Sequence, residues 1–270
     1  MSELARAIAF EEAIREAGIE RVLPFRYGHA LFVPSLPRVW DVNLLRVEGV
    51  TGAGAEQLAG EAERLQGEAG LEHRRIAVLD DETGARLESG FRALGWEVNR
   101  FLFMAYRGSG TRSADTSIVH EVERDAIRAV RAASVHDVPW GVDEEAARQI
   151  LAAGERYAAT IRPRYFAVVV DGRAVSVAEL FSDGRTAQVE EVVTLPEARG
   201  RGYASATVMR AVDEALATGH DFVFLTADED DWPKELYLRL GFATIGRKWM
   251  FTRRPAPAGR AETPPRDPGS

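Results

Sequence analysis

The chain has 270 residues, no cysteine and a formal charge of −8. Without thiols there can be no disulfide, no cysteine-ligated metal and no cysteine acyl-enzyme. The acidic balance argues against a general nucleic-acid binder, which would carry a basic stripe. Hydrophobic residues at 46% and charged residues at 28% are those of an ordinary globular protein, and the length suits two domains of about 110–140 residues each.

The N-terminal stretch, MSELARAIAFEEAIREAG, carries Glu3, Glu11 and Glu12 and no uninterrupted apolar core, so no signal peptide is expected. Further on, Gly49-Val50-Thr51-Gly52-Ala53-Gly54 precedes a helical stretch. His73–Arg107 reads as a strand at Arg75–Leu79, a helix closing on Phe91-Arg92-Ala93-Leu94-Gly95-Trp96, and a strand at Val98–Tyr106. Residues Gly108 to Ser117 hold no apolar side chain larger than alanine and read as a linker with no part in chemistry.

Helical spacing then runs through Glu121–Ala133 and Glu144–Tyr157. Strands Tyr165–Val170 and Ala174–Phe181 flank an Asp171-Gly172 turn, a strong hairpin signal. A third strand, Ala187–Leu195, follows Asp183-Gly184. The wholly apolar Phe222–Leu225 fits a strand buried on both faces, between a helix from Gly202 to about Ala217 and another starting at Pro233. Strand-like residues Ala243–Thr252 end the ordered part, and the Pro- and Gly-rich stretch from Pro255 reads as a disordered tail. None of these runs is long enough to span a bilayer, which points to a cytoplasmic protein with no membrane partner.

Chemistry first shows in the loop Pro196-Glu197-Ala198-Arg199-Gly200-Arg201-Gly202-Tyr203-Ala204-Ser205. Its glycines let backbone approach a ligand, and the helix behind them presents unpaired N–H groups at its positive end, a site for an anion such as a pyrophosphate. Gly-x-Gly before a helix is also a common turn. Arg199-x-x-Gly202-x-Ala204, however, resembles the Arg/Gln-x-x-Gly-x-Gly/Ala motif of the GNAT superfamily, the acyl-CoA-dependent N-acyltransferases. Val189 to Pro196 looks like that family's fourth strand, and Leu236-Tyr237-Leu238-Arg239-Leu240-Gly241-Phe242 is similar to its Leu-Tyr-x-x-x-Gly-Phe segment.

The resemblance implies an α/β fold with a central mixed sheet, splayed strands and flanking helices. Acetyl-CoA would be the cosubstrate, and the acyl group would pass directly to the amine of a small molecule or peptide. By the same resemblance, the amides of Gly200, Arg201, Gly202, Tyr203, Ala204 and Ser205, with Arg199, hold the pyrophosphate. Val192, Val193 and Thr194 pair with the pantetheine arm. Tyr237 supplies a hydrogen-bond donor to the leaving thiolate, a task for which a phenol near pKa 10 is suited. The bland alternative is a tyrosine packing its helix on the sheet.

Strand alternation favours Glu190 over Glu191 as general base, because Val189, Glu191, Val193 and Leu195 form the more apolar set; a β-bulge would reverse that choice. Asp230 stands where many family members have a pantetheine-contacting Asn, next to Asp231, which would cap the helix. Trp232 either packs on the cofactor or staples the helix. His136 and Trp140 lie in the region that lines the acceptor site in the family, and no histidine shows metal-ligand spacing.

Because His73–Arg107 reads like His220–Arg254, with Phe91 in the place of Tyr237, the sequence predicts two tandem copies: residues 1–108 degenerate and without catalysis, 109–117 linking, 118–254 catalytic and 255–270 a tail. The first copy would complete the acceptor pocket or an oligomer interface such as a homodimer's. Two rival classes are a dinucleotide-binding oxidoreductase, which leaves the Leu-Tyr segment unexplained, and a non-catalytic acyl-CoA-binding regulator on the same fold.

Overall fold

The computed structural model describes residues 1–108, 110–137 and 142–255. Trp140 and the tail beyond residue 255 lie outside them. In chain order the elements are α1 (Glu3–Ala17), β1 (Arg21–Phe25), β2 (Gly28–Phe32), β3 (Leu44–Val47), α2 (Ala55–Glu68), β4 (Arg74–Val78), α3 (Asp81–Ala93) and β5 (Glu97–Tyr106). The second half comprises β6 (Val119–Val122), α4 (Arg124–His136), α5 (Glu144–Ile161), β7 (Arg164–Val170), β8 (Arg173–Ser182), β9 (Thr186–Thr194), α6 (Tyr203–Ala217), β10 (Phe222–Asp228), α7 (Pro233–Leu240) and β11 (Phe242–Arg253).

Local chemistry accounts for most boundaries. Asp171 (φ 51°) and Gly172 (φ 75°) close the β7–β8 hairpin with the left-handed pair that a tight two-residue turn needs. The Asp143 carboxylate accepts from Ala146 N at 2.8 Å and starts α5. Gly241 (φ 99°) ends α7. One predicted boundary fails: Glu121 belongs not to a helix but to β6, which pairs antiparallel with β7, so the helix opens only at Arg124.

All the strands join one sheet in the order β1-β2-β3-β4-β11-β5-β10-β9-β8-β7-β6. The run β3-α2-β4-α3-β5 has the same element order as β9-α6-β10-α7-β11, and in each run the first two strands are parallel neighbours. The last strands of the two runs are exchanged. β5 lies beside β10 of the second half, and β11 lies beside β4 of the first, with β5 and β11 antiparallel to each other. The halves therefore share backbone hydrogen bonds, which a division at residues 109–117 does not anticipate.

Phe103, Phe222 and Phe224 pack with Ala7 and Phe10 of α1, so the first helix of the N-terminal half covers strands from both halves. The predicted linker also packs. Arg112 N donates to Arg239 O at 3.0 Å, and a Cβ on Gly110 would lie 2.6 Å from the backbone of Leu240.

Candidate active site

β9 and β10 pair only through Phe222↔Thr186, Val223↔Ala187 and Phe224↔Gln188. Both strands then continue, β9 to Thr194 and β10 to Asp228, without pairing to each other. The sheet opens here. Immediately after β9 the chain makes a 3-10 turn at Pro196–Ala198, then passes Gly200 (φ 78°) and Gly202 (φ 83°) into α6. Left-handed backbone at those two positions aims the following amides outward, a conformation open to glycine. Among the described residues the amides of 200 to 205 donate to nothing, and the first bond of the helix is Ala206 N to Gly202 O at 3.0 Å. These donors meet a cavity of about 920 Å³ lined by Val192, Thr194, Arg199, Gly200, Gly202 to Ser205, Trp232 and Tyr237.

Of the residues expected at the cofactor through their backbone, two keep their side chains out of the cavity. Val193 lies in register with Val177 and packs against the core instead of lining the cavity. Arg201 is exposed and outside the lining. Asp230 is drawn away, because its carboxylate accepts from Arg100 of β5 at 2.8 Å and 3.0 Å. That arginine belongs to the exchanged strand, which no local pattern announces. Asp231 does not cap α7; its carboxylate accepts from Trp232 N at 2.7 Å. Trp232 is 63% exposed at the cavity mouth. His136 lines this same cavity beside Asp137, which pairs with Arg199, and so lies on the loop side. Arg112 lines it too, although the sequence marked its segment as a bare connector.

Tyr237 is 8% exposed. Its hydroxyl makes no hydrogen bond among the described residues. Burial first, then the neighbouring Glu190 and Asp231, pushes its phenol above the ordinary tyrosine range, so it stays protonated throughout the accessible pH range.

The expected alternation in β9 is broken by a bulge. Glu191 has φ 52°, and the β8–β9 register shifts between Val177 and Glu179. Upstream of the bulge, Gln188 and Glu190 share one side; downstream, Val192 and Thr194 reach the loop cavity. Glu191 is spent on an ion pair with Arg131 of α4. Glu190 is half-buried and accepts from Gln188 and, across the opening, from Thr226 Oγ1 at 3.4 Å. Burial, then the negative charges of Glu11 and Glu191, pushes its pKa up to about 8.

Glu190 lines a second cavity, of about 430 Å³. Its walls are β8 and β9 (Glu179, Phe181, Gln188, Glu191), α4 and α5 (Ile127, Arg131, Tyr157), and, from the N-terminal half, Glu11, Ile14, Arg15, Val39, Asp41 and Val42. Glu179 has its pKa pushed up to about 7 by burial, against the pull of Arg131. The two cavities meet the same strand, on either side of the bulge. One holds anion donors and a phenol, the other a carboxylate able to accept a proton near neutral pH.

Residues 129–242, which contain the bulge, the loop and Tyr237, match the acetyltransferase (GNAT) family. This segment is a GNAT domain. Over the whole chain the fold is similar to a GCN5-related N-acetyltransferase from Kribbella flavida, with TM-score 0.62, 16% identity, and 95% of this chain and 97% of that one covered. It is also similar to a functionally unknown conserved protein from Staphylococcus epidermidis, with TM-score 0.65, 15% identity and coverage of 88% and 95%. At such identities the likeness is one of fold: a mixed sheet flanked by helices. No curated protein matches the chain.

The N-terminal half repeats the element order of the GNAT domain without its openings. β3 and β4 stay paired through Val47↔Val78, the last residue of each strand. The turn before α2 is closed from within. Ala53 N donates to Thr51 Oγ1 and Gly54 N to Gln57 Oε1, while Arg86 of α3 donates to the carbonyls of Thr51 and Ala53. Phe91, at the place of Tyr237, is fully buried and stacks on Phe251 with ring centroids 4.2 Å apart. Among the described residues no cluster of three or more His, Asp or Glu could hold a metal, and no helix is long and apolar enough to cross a membrane.

Proposed function

We propose that the protein is an acyl-CoA-dependent N-acyltransferase, most simply an acetyltransferase, acting on a primary amine. The observation that carries this reading is the coincidence of two features: the end of β9–β10 pairing at Gln188/Phe224, and the row of free amides at 200 to 205 directly behind it. The pyrophosphate of acetyl-CoA would take the amides, as anions do at helix N-termini. The pantetheine arm would run along the open edge of β9 at Val192 and Thr194. That brings the thioester to the splay, between Glu190 and Tyr237.

The acceptor enters from the 430 Å³ cavity as an amine. Its nitrogen bonds to the acyl carbon, the carbon–sulfur bond breaks, the proton leaving nitrogen passes to Glu190, and the Tyr237 hydroxyl donates to the departing sulfur. The tenor is direct transfer in a ternary complex, which suits a chain without cysteine. The N-terminal half works as a scaffold, supplying the exchanged strand and one wall of the acceptor cavity.

Acetyl-CoA titration followed by thermal denaturation, and thiol release with a panel of alkyl, aryl and polycationic amines, test the reading together. Stabilisation by acetyl-CoA with amine-dependent thiol release is expected. Stabilisation with no turnover on any amine would favour a non-catalytic binder on the same fold.

A further inference from the structure

We propose that Glu11, on α1 of the N-terminal half, is a substrate-binding carboxylate that receives the acceptor as an ammonium ion and seats it beside Glu190. This rests on reading the 430 Å³ cavity as the acceptor site. Apolar residues of α1, among them Ala7, Phe10 and Ile14, pack against β5 and β10, and this anchoring carries Glu11 into the cavity wall. The Oε1 atom is occupied: Lys248 of β11 donates to it, and so does Arg15 Nη2 at 3.2 Å. The Oε2 atom is buried and has no hydrogen-bond partner among the described residues.

Burial works to raise the carboxyl, but the charges of Lys248 and Arg15 overcome it, and Glu11 titrates below the ordinary range. It is therefore an anion on a residue of the cavity wall, with one buried oxygen that has no donor among the described residues. A buried charged oxygen left without a donor costs free energy that a donor from the cavity recovers. An ammonium N–H is such a donor. Glu190, facing Glu11, is held largely protonated at neutral pH and makes a poor first receptor for a cation. A cation between the two offsets the repulsion that raises Glu190, so that Glu190 ionises, takes the first proton from the ammonium and passes it to solvent. It is then free to take the second proton that leaves nitrogen after attack, while Glu11 remains as counter-ion. The other groups whose charge reaches Glu190 are Glu191 on β9, Arg131 on α4 and Lys248 on β11, with Tyr237 on α7, while Glu179 on β8, Arg15 on α1, Arg124 and Arg128 on α4, Glu155 on α5 and Asp41 line the same cavity.

The test uses the full chain saturated with CoA and measures binding of butylamine, benzylamine and spermidine at pH 7 by calorimetry, beside kcat/KM against pH. For Glu11→Gln, cation affinity should fall at least tenfold with CoA affinity unchanged. The rising limb of kcat/KM should also move to lower pH, since one negative charge facing Glu190 is gone. A merely structural or electrostatic role could move that limb but would leave cation affinity unchanged. If Glu11→Gln does not fold, Glu11→Asp keeps the charge for Lys248 and Arg15 but withdraws the carboxylate by one methylene, and should weaken cation binding likewise. Unchanged cation affinity in the folded variant, or no binding of any of the three amines by the wild-type complex, overturns the proposal. If binding is unchanged while Glu190→Gln abolishes turnover, this inference alone falls and the acyltransferase reading stands.

Discussion

Tyr237 and Glu190 differ in how far their neighbours take them from their solution chemistry. Tyr237 sits in an apolar wall with acidic neighbours, which keeps its proton on and suits it to donate rather than accept. Tyr237→Phe should therefore lower kcat at least tenfold, about 1.4 kcal/mol of barrier, while leaving CoA-dependent thermal stabilisation intact; equal turnover would remove the tyrosine from its role. Glu190 must be ionised to accept a proton. Because its pKa is raised to about 8, the ionised fraction grows as pH climbs through that value, and kcat/KM should rise across it and level off above. In Glu190→Gln that limb should vanish along with most of the rate. A limb that survives the substitution would assign the base elsewhere.

At the scale of elements, the loop and its helix act as one unit. Gly202 opens α6 with a left-handed φ of 83°, and only Arg112, at 3.8 Å, approaches the space a Cβ would take. Gly202→Val thus has room in the free protein. Its cost comes from β-branched backbone strain, and from a side chain standing where the anion must reach the amides. Thermal stabilisation by CoA, about 2.7 kcal/mol at a hundredfold excess over Kd, should disappear; stabilisation that persists would place the diphosphate away from this loop. Here the sequence was legible, since glycine at the turn with no capping side chain leaves the amides free at α6, whereas at α2 Thr51 and Gln57 take them up. Asp230 shows the opposite. Its position next to α7 was readable, but its partner Arg100 comes from a strand 130 residues earlier.

On the scale of the whole molecule, exchange of β5 and β11 makes each half's sheet depend on the other. Phe224 is fully buried between Phe10, Phe103 and Phe222, which bring together α1, β5 and β10. Phe224→Ala should cost about 3–5 kcal/mol, and because the strands are interleaved, the protein should still melt in one transition. Two separated calorimetric transitions, in wild type or variant, would mean that the halves fold independently. The same interleaving puts α1 in the wall of the 430 Å³ cavity, so that an N-terminal half without its own opening still shapes it.

By itself the sequence determined the chemistry that is local to a few turns: the glycine loop and its free helix end, the Asp171-Gly172 hairpin, the phenol at Tyr237, the repeat that puts Phe91 in that tyrosine's place. Backbone preferences and short-range hydrogen bonds decide these, and they are encoded within about ten residues. Tertiary structure alone decided which strands neighbour one another, that a bulge at Glu191 separates Glu190 from the residues lining the loop cavity, that Glu11 and Arg112 reach the two cavities, and that Arg100 holds Asp230. Those outcomes depend on packing between residues far apart in the chain, where no period or spacing carries a signal.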